Sequence, residues 1–81
     1  MVSGESLEDE VQRRELVRAL NSFLRSLPER DKNLLLRRYW GMEALETLAK
    51  AEGMSLTALH RRLGKLRNRL ADHLRKEGFA P

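Results

Sequence analysis

The sequence predicts an all-α fold of four helices, and three observations carry that prediction. Apolar residues recur at the three-and-four spacing of one helical face, at Leu16, Leu20, Phe23, Leu24 and Leu27 and again from Leu56 to Leu74. Pro28, Gly41 and Gly53 stand between the periodic stretches, where helices end. No segment alternates apolar and polar residues as a half-buried strand does, and neither a repeat nor a low-complexity tract interrupts the pattern.

Met1 to Glu5 has no periodicity and contains Gly4, so it reads as a flexible start or a cloning remnant, ahead of a single domain over residues 6–78 and a tail over 79–81. Ser6 followed by Asp9 resembles a capping box, opening a first helix that runs to about Ser26. Pro28 ends it and can start the second, because the first turn of a helix leaves the missing N–H unused. Glu29 and Asp31 suit the positive end of that helix dipole. The second helix extends to Trp40 and stops at Gly41, with Leu34, Leu35, Tyr39 and Trp40 expected in the core. A short third helix covers Ala44 to Glu52, with Leu45, Leu48 and Ala49 inward and Gly53 as its terminating glycine. Ser55 can cap the fourth, which reaches Lys76 and is about 30 Å long at 1.5 Å per residue.

Composition limits the function classes. At 81 residues the chain buries about 60–65% of its unfolded surface, which makes a thin stability margin. It has no cysteine, so a disulfide framework and a thiolate metal site are excluded, and a reducing cytoplasm fits. No apolar run approaches the roughly 20 residues that span a bilayer, so the expectation is a soluble protein with no membrane role. The net charge of +4 is unevenly spread. Residues 1–15 carry two basic and five acidic side chains, whereas residues 56–81 carry seven basic and two acidic. A positive C-terminal third behind an acidic start is the asymmetry of a polyanion binder, although an ordinary solvated helix face gives the same count.

The stretch from Leu45 to Leu70 is the most informative. A short helix with a small inward Ala49, a tight turn at Gly53, an apolar Met54 and a longer helix pinned by Leu59 and Leu63 follows helix-turn-helix grammar. Winding the fourth helix at 100° per residue gathers Leu56, Leu59, Leu63, Leu66, Leu70 and Leu74 into one stripe. The opposite face carries Thr57, Arg61, Gly64, Lys65 and Asn68, with His60 at its edge and Arg62, Arg67 and Arg69 flanking it. Donors in the middle and cations on both sides are what a helix in the DNA major groove requires. A leucine-zipper-like dimer seam is the competing reading of the stripe, but three preceding helices need it for their own core.

From Leu16 to Gly78 the chain resembles region 4 of sigma-70 family transcription factors, most closely the extracytoplasmic-function type. The resemblance rests on SLPERDKNLLLRRYW (Ser26 to Trp40), TLAKAEGMS (Thr47 to Ser55) and LHRRLGKLRNRL (Leu59 to Leu70), in that order and spacing. It implies a winged-helix-like, sigma region 4 fold acting in the bacterial cytoplasm at the nucleoid. The function it implies is recognition of the promoter −35 element in double-stranded DNA. Docking on the β flap of RNA polymerase core and masking by an anti-sigma factor are implied as well. Base contacts would fall on His60, Arg61, Gly64 and Lys65, and backbone contacts on Arg37, Arg38 and Lys50 beside the flanking arginines. The sequence departs from the family pattern at Gly64, where a side chain usually faces the groove, at Glu52, where an apolar residue usually seals the turn, and at Thr47, which replaces a frequent Glu. The family's −10-recognising segment has no counterpart in 81 residues, so an excised C-terminal domain is expected.

Other chemistry finds little support. His60 and His73 lie thirteen apart with no ligand set around them, so both are expected on the surface or toward DNA, and no metal or cofactor is expected. Glu8, Asp9 and Glu10 are explained by a helix dipole. No phosphate-cradling glycine loop and no nucleophile–base set is present, so neither an enzyme nor a small-molecule substrate is expected. Two alternatives remain open: a free-standing helix-turn-helix regulator acting as a dimer, and an interaction module using the Leu16–Leu35 surface.

Overall fold

The computed structural model describes residues 4–79, with side chains described from Asp9 onward. Met1–Ser3, part of the expected flexible start, and Ala80–Pro81, part of the expected tail, lie outside the described residues. Within them the chain is all-helical: α1 (Gly4–Ser26), α2 (Glu29–Leu35), which runs on into a π turn over Leu36–Trp40, α3 (Leu45–Ala51) and α4 (Leu56–Lys76). No helix among the described residues is long and apolar enough to cross a membrane.

One core joins all four helices. Phe23, Leu24 and Leu27 enter it from α1, Leu34 and Leu35 from α2, Leu48 and Ala49 from α3, and Leu59, Leu63 and Leu66 from α4. Leu48 and Leu59 are completely inaccessible, so α3 and the first turns of α4 meet at the best-sealed point. Burying each such leucine contributes about 1.5–3 kcal/mol. The stripe frays at its ends: Leu70 and Leu74 are half-buried, and Leu56 is exposed.

The turn between α3 and α4 is fixed by backbone chemistry. Gly53 has φ +64° and donates its N–H to Lys50 O at 3.1 Å, while Met54 N–H reaches Ala49 O at 3.0 Å. This pair of bonds is a Schellman motif, which satisfies carbonyls the helix end leaves unpaired and demands the left-handed backbone that glycine adopts without strain. Met54 closes it by packing on the core. Ser55 Oγ then accepts the Ala58 N–H at 3.1 Å and starts α4. The end of α4 repeats the motif, with Gly78 at φ +94° and Phe79 N–H on Leu74 O at 2.8 Å.

Several elements differ from expectation. α1 begins at Gly4, ahead of Ser6, so Ser6 stands inside the helix rather than at its cap. Leu16 is exposed; only from Ala19 onward does α1 reach the core. Pro28, at φ −54° and ψ 147°, is the residue before α2 rather than its first, and its carbonyl accepts from Lys32 N–H at 3.0 Å.

The second helix does not stay α-helical to Trp40. Over Leu36–Trp40 the bonding widens, and Gly41 N–H reaches back five residues to Leu36 O at 2.9 Å. A wider turn advances fewer degrees per residue, so after Leu36, which still packs against the core, Tyr39 and Trp40 fall away from the buried face. Tyr39 is 43% and Trp40 57% exposed, and neither is core. Gly41 is needed here for space: a Cβ on it would stand 2.8 Å from Arg37 O. The chain then turns at Met42, a non-glycine residue at φ +55°.

Candidate nucleic-acid interface

The sequence from Leu56 to Ala71 contains no carboxylate, so α4 presents only positive and neutral side chains over more than four turns. Because Leu59, Leu63 and Leu66 are drawn into the core, helical geometry turns Thr57, His60, Arg61, Lys65 and Asn68 outward, and all five are exposed. Arg61, Lys65 and Arg69 form no ion pair among the described residues. Their charges are therefore available to a polyanion. Gly64 lies half-buried in the middle of this face, and a Cβ built on it meets only Arg67 Nη2, at 3.9 Å.

The flanking cations divide into two groups. Arg67 and Arg69 are exposed, and Arg67 Nη1 lies 3.4 Å from Tyr39 Oη. Arg62, expected among the backbone-contacting residues, is instead turned inward. Its Nε and Nη2 donate to Asp31 Oδ1 at 3.0 and 2.7 Å, and its Nη1 donates to Glu52 Oε1 at 2.8 Å. Partial burial works against its charge, but hydrogen bonds to the two carboxylates outweigh this and raise its pKa. Glu52 also reaches Arg30 at 3.4 Å, which accounts for a carboxylate where the resemblance leads one to expect an apolar residue.

Arg37 and Arg38, the other expected backbone contacts, hold the loop after the π turn. Arg37 donates Nε and Nη2 to the two Glu43 carboxylate oxygens at 2.7 and 2.8 Å. That fork raises the Arg37 pKa and holds Glu43 below the usual carboxylate range, hydrogen bonding being the main cause in both. Arg38 Nη1 donates to Glu43 O at 3.0 Å. Lys50, in the last turn of α3, is exposed.

His73 does not face outward. Its ring sits 5.6 Å from that of Phe23, and Nε2 is 3.0 Å from Ala19 O, so it joins α4 to α1. Among the described residues no cluster of His, Asp and Glu could hold a metal ion.

Sequence reasoning missed an apolar groove of about 350 Å³ beside the π turn, lined by Leu20, Phe23, Leu35, Tyr39, Trp40 and Leu70. No residue pattern announces a π turn, so nothing in the sequence pointed to it. The Arg62 contacts did leave a signal: at 100° per residue, Arg62 lies only about 60° from Leu59, closer to the buried stripe than to the outer face. Comparison of the chain with family models, with curated proteins and with solved structures finds no match in any of the three.

Proposed function

We propose that this domain is a sequence-specific double-stranded DNA-binding module of the helix-turn-helix kind, with α3 as its first helix and α4 as the helix that enters the major groove. The observation that carries the reading is the outer face of α4: Arg61 and Lys65 without an ion pair among the described residues, His60, Thr57 and Asn68 exposed beside them, and no carboxylate from Leu56 to Ala71. Cations without internal partners release counterions from DNA, and polar tips in the centre of the face reach base edges. The Schellman turn and the burial of Leu48 and Leu59 in one core support it by fixing how α4 is presented.

On the sigma region 4 resemblance, the duplex is the promoter −35 element, with Arg61 and Lys65 reading bases and Arg67 and Arg69 contacting phosphates. Docking on RNA polymerase core through the β flap belongs to the same proposal. The apolar groove beside Tyr39 and Trp40 supports it, since large exposed aromatics around a cleft suit a helix presenting apolar side chains. Selection of bound duplexes from a random pool tests the DNA reading. Enrichment of one short motif, bound in a salt-dependent manner, is the expected result. A pool that stays random, or affinity indifferent to salt, overturns it.

A further inference from the structure

The three guanidinium nitrogens of Arg62 are all engaged by carboxylates from two other elements. Asp31 lies in the first turn of α2, and Glu52 is the residue that ends α3. Arg62, Asp31 and Glu52 keep only 20%, 21% and 15% of their side-chain surface exposed. With Arg30 also on Glu52, two positive and two negative charges meet, and the cluster adds nothing net to the field over α4. For Arg62 to reach a phosphate it would have to leave half-buried Asp31 without its partner and Glu52 with Arg30 alone, which is costly.

The same contacts act on orientation. Leucine packing leaves a helix some freedom to rotate about its axis, whereas a guanidinium fork fixes direction as well as distance. A rotation of α4 by about 10° moves a side-chain tip about 6 Å from its axis by about 1 Å, more than a hydrogen bond to a base edge tolerates. Arg62 adjoins Arg61 in the sequence, so the constraint acts where readout is proposed.

We propose that Arg62 is a positioning residue for base readout, holding α4 in register against Asp31 and Glu52 without touching DNA. This rests on the DNA-binding reading. It predicts that sequence discrimination by α4 depends on two carboxylates that carry the wrong sign to meet DNA themselves.

The test measures fluorescence anisotropy of the 81-residue chain with its selected duplex and a scrambled one, across a salt series, for Arg62→Lys and Asp31→Ala. Lysine keeps the charge but not the fork, and Asp31→Ala frees Arg62 from its main partner. Both variants should lose discrimination by about fivefold or more while keeping the wild-type salt slope. Circular dichroism melts confirm that binding is read on folded protein, and if Arg62→Lys does not fold, Asp31→Ala alone decides. The proposal is overturned if Asp31→Ala tightens binding to both duplexes alike, as a liberated phosphate contact would. Full discrimination by a folded Arg62→Lys overturns it too. A wild-type chain that binds neither duplex overturns the DNA reading itself, a result distinct from loss of the positioning role.

Discussion

Among the arginines of this chain, partners rather than position separate those open to a ligand from those already committed. Arg61 stands exposed without an ion pair among the described residues, Arg67 is exposed and donates to a tyrosine hydroxyl, and Arg37 is closed on Glu43 by two short bonds. Arg61→Ala should therefore flatten discrimination between selected and scrambled duplexes by about 1–3 kcal/mol. Arg67→Ala should weaken both equally and reduce the salt slope by about one unit. Anisotropy titrations at several salt concentrations read both, and unchanged discrimination in the first variant removes Arg61 from base readout. For the Arg37–Glu43 pair the measurement is a carboxyl titration by NMR. The lowered Glu43 pKa means that the pair's small contribution to folding is complete above the ordinary glutamate range and is lost as pH falls through the lowered value. Arg37→Gln should return Glu43 to its ordinary value; a Glu43 that titrates unchanged in that variant shows the fork absent in solution.

At the scale of the element, α4 carries a glycine where a helix gains nothing from one. Gly64 has no positive φ, and a Cβ there would meet a flexible side chain at ordinary contact distance. Gly64→Ala should stabilise the chain by about 0.5–1 kcal/mol, read from the urea midpoint. A loss of stability would show that the backbone at Gly64 is more crowded than its surroundings indicate. The contrast with Gly53 is instructive, because there the left-handed turn itself requires glycine. Much of this was legible from spacing alone: the leucine stripe, the Ser55 cap and the glycine turn each follow from a local rule. The π turn was not, because a single carbonyl bonded one residue further along, Leu36 O to Gly41 N–H, leaves no mark in the spacing of side chains, and 3.6-residue winding puts Tyr39 and Trp40 inside. Arg62 and His73 were misplaced for a related reason. A long polar side chain at the edge of a buried stripe turns in or out according to partners from distant elements, here Asp31, Glu52 and Ala19.

Taken as a whole molecule, the chain separates two surfaces. The cationic face of α4 and the groove beside the π turn meet at Arg67, which lines the groove next to Tyr39, but Trp40 lies in the groove away from Arg61 and Lys65 and can be altered without touching them. Trp40→Ala removes exposed aromatic surface without opening the core, since Trp40 is not part of it. It should lower affinity for RNA polymerase core in a pull-down or interferometry assay at least threefold, in line with loss of an interface aromatic, while leaving duplex affinity as it was. Equal polymerase affinity would exclude this groove from docking.

The first turns of α1 have a further consequence. From Asp9 to Arg18 every residue is exposed, with Gly78 and Phe79 the neighbours across a shallow cleft, so this length of helix is held mainly by its own hydrogen bonds. A helical segment of that kind is marginal in water by itself. Its amides should exchange with deuterium at close to the rate of an unstructured peptide. Those around Leu59 and Leu63, sealed in the core, should open only with global unfolding. A time course of exchange would then divide α1 near Ala19 into two cooperative parts, although its backbone runs as one unbroken helix. Slow exchange across Asp9–Arg18 would show that this half has found a partner.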